Sequence, residues 1–252
     1  MNFVDFWTNK NNPSLPKSEY LYNTRHIIVL LLTVISCITL TIIFRKKDEK
    51  IKNKLFKIFA WIFLFFEVLS RMVNLIIETD YSIGNIAKII LPMHICSVVV
   101  VLIIVAIFTN NKILINFTTI CGLLSTLAFL LYPAVGLNRV YMSFTCIYST
   151  FTHMLGFICS ILLITLKICK FNFKEIWQTF LCFVIMFCWG GLLNFVIFPG
   201  SDYMYMVNDP LGLNLSIPYQ IPYLIVIIIY ITSFYFIPFL INKIKKVINA
   251  KN

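Results

Sequence analysis

Seven long apolar blocks dominate the chain, at about 24–44, 55–77, 89–108, 113–131, 146–166, 176–198 and 221–241. A helix needs about 20 apolar residues to cross the hydrocarbon core of a bilayer, and each block is that long or nearly so. Seven crossings use most of the chain and leave nothing for a separate soluble domain. The pattern predicts an all-α fold: a polytopic transmembrane helical bundle of about seven helices, forming a single integral membrane domain over residues 1–252. Residues 1–23 are polar, with Pro13 and Pro16. A cleaved leader carries positive charge before its apolar run and small residues after it. Here the dense charge follows the run, so the first block is expected to be retained as a helix.

Composition supports lipid as the solvent. Of 252 residues, 60% are hydrophobic and 12% charged, against about 25% charged in a soluble domain. The net charge of +11 is no nucleic-acid footprint, because the positive residues sit in short loops between the blocks. Alternating the loops puts fifteen on one side, in Arg45–Lys57, Lys112, Lys167–Lys174 and Lys243–Lys251. Five fall on the other side: Lys10, Lys17, Arg25, Lys88 and Arg139. The positive-inside rule then predicts an N-out, C-in protein of the cell membrane, with membrane lipids as its partners. Lys outnumbers Arg 17 to 4, and Ile, Asn and Phe are abundant. That bias fits an AT-rich coding genome, so a bacterial source is expected.

The eight cysteines lie in or beside apolar blocks with no CxxC pair and no metal-ligand spacing. They are expected to be packing residues rather than a disulfide framework. No metal and no cofactor is expected. The chain lacks a P-loop, a dinucleotide fingerprint, HExxH and GxSxG.

Ionisable residues inside a membrane are costly and usually face the bundle interior. In the second block Glu67, Arg71, Asn74 and Glu78 lie at i, i+4, i+7 and i+11, on one helical face. They predict either an internal ion pair that sets packing or a stripe that meets a substrate. The third block opens with Leu91-Pro92-Met93-His94-Ile95-Cys96. Pro92 suits the first turn of a helix, and His94 then lies about 8 Å below the outer end. His153 lies at about 10 Å depth in the fifth block, one turn from Ser149. Asn194 sits in the outer third of the sixth block, beside Gly190 and Gly191. The polar residues of four helices thus map to one leaflet, which is the reason to expect a site. The last outer loop, Pro199–Pro210, is rich in Pro, Gly, Asp and Tyr and carries Asp202, Tyr203 and Tyr205. It is expected either to anchor at the interface or to fold over the outer mouth as a lid.

The Leu-Pro-Met-His-Ile-Cys segment, the His153 helix, Asn194 and the Asp-Tyr-Met-Tyr segment leading to Asn-Asp-Pro resemble the YwaF-like bacterial integral membrane proteins. The resemblance spans nearly the whole chain in the same motif order. It departs at Pro218-Tyr219-Gln220-Ile221-Pro222, where that family often carries a Gly-Pro-Trp-Pro-like element. YwaF-like proteins look related to the eukaryotic transmembrane protein 164 family, membrane acyltransferases that act on lysophospholipids through a cysteine. In the eukaryotic pattern the cysteine directly precedes the histidine, where Met93 stands here. Cys96 lies about 200° round a continuous helix from His94, so His153 is the better-placed base for it.

Three functions follow. The first is an intramembrane acyltransferase on phospholipid or lysophospholipid at the outer leaflet. His94, His153 and Cys96 would be its catalytic residues. Glu67, Arg71, Asn74, Asn194, Asp202, Tyr203 and Tyr205 would bind substrate, with Arg71 on a phosphate and Asn194 at the oxyanion. The second is a transporter or binder of lipid or small solutes, whose usual marks are repeats and broken helices. By sequence the chain shows no repeat and no mid-helix break beyond Pro238. The third is a non-catalytic scaffold or sensor, in which the polar cluster only specifies packing.

Overall fold

The computed structural model describes residues 3–8, 12–133, 136–208 and 218–249. Among them the secondary structure is helical, apart from one isolated antiparallel bridge between Ser14 and Arg139. Lys10, Lys251, Asp209 and Pro210 lie outside the described residues, as do the side chains of Tyr205, Lys245 and Lys246. Among the described residues six helices are long and apolar enough to span a membrane, or seven where the bent pair described below counts as one span. The chain forms two compact units, Met1–Ile168 and Cys169–Asn252.

The first unit opens with two short helices, α1 (Phe3–Thr8) and α2 (Lys17–Tyr20). The first long helix, α3 (Thr24–Phe44), is capped by the Asn23 side chain, which accepts from the His26 N–H at 3.0 Å. Leu31, Ile35, Ile38 and Ile42 face outward, whereas His26, Thr33 and Cys37 are buried. This inverts a soluble helix. Lipid tails are as apolar as Leu, so aliphatic side chains gain nothing by turning inward, and polar and small ones do. His26 carries two bonds that fix its tautomer. Its Nε2–H donates to the Leu130 carbonyl at 2.7 Å, and its Nδ1 accepts from the Tyr22 N–H at 2.9 Å.

Helix α4 (Glu49–Ile77) begins six residues before the expected start at 55. Its first two turns carry Lys50, Lys52 and Lys54, which apolar counting excludes, but helical hydrogen bonding continues through them. Lys52 turns inward and pairs with Glu49 at 3.0 Å.

The third span differs most from expectation. In place of one helix over 89–108 there are two, α5 (Ile83–Ile90) and α6 (Ile95–Thr109), bent by 61° at the break. Pro92 does not sit in a first turn. It has no N–H to give and disfavours the helical region for the residue before it, and Leu91 is extended at φ −76°, ψ 143°. His94 is therefore the N-cap of α6, at φ −99°, ψ 158°. The expectation of no further mid-span break is corrected accordingly, and with it the 200° separation of His94 and Cys96, which presupposed a continuous helix.

Helices α7 (Lys112–Leu131) and α8 (Phe144–Thr165) form the centre of this unit. Buried residues make up 61% and 56% of their apolar windows, against 11% for α3. Small residues let them approach in antiparallel register. A Cβ on Gly122 would come within 2.6 Å of the Ser160 hydroxyl, and one on Gly156 within 2.8 Å of the Thr126 methyl. Gly122 and Thr126 are four apart, as are Gly156 and Ser160, so each helix offers a glycine to the other's hydroxyl residue. This is the small-xxx-small device of membrane helix pairs. Residues Asn12–Leu15 pair with the α7–α8 connection: Asn12 exchanges two hydrogen bonds with the Tyr141 backbone at 2.8 and 3.0 Å, and the Leu15 N–H donates to the Asn138 carbonyl at 2.7 Å.

The second unit holds a 3-10 turn (Phe173–Glu175), α9 (Ile176–Leu192), a π-helical turn (Leu193–Ile197) and α10 (Gln220–Asn249). Helix α10 runs eight residues past the expected end at 241, through Pro238. A buried hydrogen bond of 2.5 Å between the Thr179 and Tyr235 hydroxyls joins α9 to α10.

The α7–α8 register yields a compensation test. Gly156→Ala is expected to lower stability in detergent by about 1–3 kcal/mol through overpacking. Adding Thr126→Ser, which deletes the methyl that the new Cβ meets and keeps the hydroxyl bond to the Gly122 carbonyl, should restore most of it. Thermal melts of the two variants check this.

Candidate functional site

The polar residues of the first unit gather at one end, where α4 finishes, α6 and α8 begin and α7 finishes. Glu67 and Arg71 pair at 2.9 Å, as their i, i+4 spacing predicts. Glu67 is buried, and its other oxygen accepts from the Tyr148 hydroxyl at 2.6 Å. Ser70, one helical turn before Asn74, is buried as well. A buried carboxylate is tolerable only with such partners.

Arg71 makes further bonds. Its second terminal nitrogen donates to the Ile89 carbonyl at 2.8 Å and to the Ile90 carbonyl. These are the last carbonyls of α5, which the break at Pro92 leaves without helical donors. Arg71 therefore caps α5 and holds the broken segment against α4. The rest of the polar stripe goes elsewhere. Asn74 is exposed, and a Glu78 oxygen accepts the N–H groups of Thr79 and Asp80, both at 2.9 Å, closing the turn after α4.

Beyond the break, His94 is exposed at the N-cap and Cys96 half-buried in the first turn of α6. The Cys96 thiol interacts with the Ser125 hydroxyl of α7. One turn further along α7, the Phe129 ring stacks on the imidazole of His153, with centroids 3.9 Å apart and planes 14° from parallel. His153 Nδ1–H donates to the Ser149 carbonyl at 2.6 Å. That bond assigns the proton to Nδ1 and leaves the Nε2 lone pair as an acceptor. Ser125 and Phe129 share a helical face, about 6 Å apart along the axis. Cys96 of α6 and His153 of α8 thus bear on one stripe of α7. Tyr148, Ser125 and Phe129 were not singled out by sequence. Tyr148 had one legible signal, a hydroxyl within an apolar block.

In the second unit, Asn194 is buried in the π-helical turn. Its amide nitrogen donates to the Tyr203 carbonyl at 2.9 Å and its oxygen accepts the Tyr203 N–H at 2.7 Å. Both functions of the amide are engaged with one backbone unit, so Asn194 clamps the following loop. Asp202 holds that loop from within, accepting the N–H groups of Val207 (2.8 Å) and Asn208 (3.2 Å) and the Asn208 amide at 3.1 Å. The Tyr203 ring packs edge-on to Phe198. Met204 adopts the left-handed region (φ 61°) and is buried, with its sulfur over Gly190. Among the described residues no group of three or more His, Cys, Asp or Glu is placed to hold a metal ion.

The apolar helices, their outward aliphatic faces and their inward polar residues define a multi-pass α-helical membrane protein. The family model described as the TMEM164 family matches residues 21–239, most of the chain, and the protein belongs to that family. No curated protein and no solved structure matches.

Two outcomes are expected. Glu67→Leu alone strands Arg71 and should cost about 3–5 kcal/mol. The double variant Glu67→Leu/Arg71→Met removes the unpaired charge but leaves the Ile89 and Ile90 carbonyls bare, so it should stay below wild type by about 1–3 kcal/mol. Full recovery of the melting temperature would show that Arg71 does not support the break. Separately, Asn194→Ala releases Tyr203 and should speed proteolysis and hydrogen exchange within 199–208 while leaving 12–133 unchanged.

Proposed function

We propose that this protein is a membrane-embedded acyltransferase acting on phospholipid or lysophospholipid, a bacterial, YwaF-like member of its family, with the N-terminus outside and the C-terminus inside the cell membrane. The observation that carries this reading is the convergence of Cys96 and His153 on one stripe of α7, with the imidazole oriented by Ser149 and Phe129. A nucleophile, a base and a group that orients the base are the parts acyl transfer requires.

The chemistry balances without a cofactor. The Cys96 thiol passes its proton to His153 Nε2 as its sulfur attacks the ester carbonyl of a donor lipid. The lysolipid alkoxide leaves with that proton, and a thioester remains on Cys96. An acceptor hydroxyl then gives its proton to His153 and attacks the thioester, which releases the new ester and restores the thiol. His94, exposed at the mouth of α6, is the second candidate base. Arg71 acts in this reading as a positioning residue, since it holds the segment that leads into Cys96, and Tyr203, Tyr205 and Asp202 remain candidates for lipid contact.

Purified protein incubated with radiolabelled phospholipid and a lyso-acceptor should transfer label and accumulate a hydroxylamine-sensitive protein adduct. Cys96→Ala should abolish the adduct. His153→Gln should reduce transfer by about 10²-fold or more, the usual loss of a general base. Transfer that survives both substitutions would sink the proposal.

A second reading has its own observation. The broken α5–α6 span resembles the discontinuous helices that hold solutes in transporters. Solute uptake into proteoliposomes that Cys96→Ala leaves unaltered would favour it.

A further inference from the structure

At the opposite end of the first unit lies a cleft that the chemistry above does not use. It encloses about 140 Å³ between the start of α4, the end of α6, the start of α7 and the end of α8. A single water needs about 10–15 Å³ on the same measure, so the space admits a larger group. Its inner wall is apolar, with Phe56, Ile115 and Leu163 buried. Its rim is polar, formed by Asn53, Lys57 and Asn110. Lys57 is 14 residues from Arg71 on α4, about 21 Å along the helix, so the cleft is remote from the Cys96 region.

The charge around the cleft is one-sided. Lys50, Lys54 and Lys57 lie at i, i+4 and i+7, on one exposed stripe of α4 that also holds Asn53. None of the three pairs with a carboxylate among the described residues. Lys52, which faces inward, has taken Glu49. Lys112 stands exposed at the start of α7, next to the left-handed Asn110 that turns the chain from α6. The Asn111 side chain is spent capping α7, which leaves Asn53 and Asn110 as the amides at the rim. Unpaired ammonium groups, two amides and an apolar wall at the end of membrane-spanning helices match a lipid whose headgroup is anionic. The cleft offers Lys57 and the amides to a phosphate and its apolar wall to an acyl chain. Basic pockets between transmembrane helices bind such headgroups.

We propose that the cleft at Asn53, Lys57 and Asn110 is a binding site for one anionic phospholipid, separate from the Cys96–His153 stripe and independent of the acyltransferase reading. The occupant is a lipid rather than free phosphate because most of the cleft's lining is apolar and the helices that line it continue into hydrocarbon.

The test is thermal melting of the full chain in neutral detergent, titrated with phosphatidylglycerol, phosphatidylcholine or inorganic phosphate. Phosphatidylglycerol should raise the melting temperature saturably, and the other two should not. Lys57→Gln should shift the half-saturating phosphatidylglycerol concentration upward by about fivefold, the effect of one basic residue near a headgroup, and Lys57→Arg should restore it. Lys47→Gln, in the α3–α4 turn outside the cleft, should titrate like wild type. Equal stabilisation by phosphatidylcholine or by phosphate, no change in Lys57→Gln, or the same shift in Lys47→Gln would each overturn the site. Lys57 is exposed, so its replacement leaves the fold intact. The readout is binding, so failure here leaves acyl transfer untouched and the converse also holds.

Discussion

A helix can break inside hydrocarbon only if something donates to the carbonyls it leaves open, and in this protein Arg71 does so. Lipid offers no donors, and each bare carbonyl costs several kcal/mol there. Pro92 stops α5 at Ile90, four residues separate it from the start of α6 at Ile95, and the Ile89 and Ile90 carbonyls are left open. One guanidinium covers both while its other nitrogen answers Glu67. Glu67 in turn is bearable because Tyr148 donates to its second oxygen. The chain from the Pro92 break through Arg71 and Glu67 to Tyr148 thus ties α5, α4 and α8 together. The direction in which α6 starts, and so the place of Cys96, depends on it.

Packing elsewhere obeys the same solvent. Aliphatic residues cover the outside of α3, and His26, Thr33 and Cys37 turn in. The centre is organised by small residues. Gly122 against Ser160 and Gly156 against Thr126 set the spacing of α7 and α8, and that close pair carries the stripe on which Cys96 and His153 bear. In the second unit the π-helical turn aims Asn194 at the backbone of Tyr203. The extra residue in that turn, marked by the bond from the Phe198 N–H to the Leu193 carbonyl at 2.8 Å, is a distortion often found at functional sites. Here it serves a clamp.

The two ends of the first unit have distinct chemistry. One gathers Cys96, His153 and the Glu67–Arg71 ion pair. The other carries the lysines of α4 and the start of α7 around a cleft. Under the two proposals this protein meets lipid twice, once at a reacting carbonyl and once at a headgroup.

The sequence alone determined how many spans there are and nearly where they lie, since hydrocarbon thickness demands runs of about 20 apolar residues whatever the fold. It also determined the Glu67–Arg71 pair, because i, i+4 contacts are local to one helix. Its reading of the third span missed, because Pro92 fits a first turn and a break equally well until the partner of Ile89 and Ile90 is known. Tertiary structure alone decided which faces turn inward. Buried and lipid-facing positions are both apolar here, so hydropathy carries no rotational signal, and the partners of Glu67, His153 and Asn194 became visible only once the helices were packed.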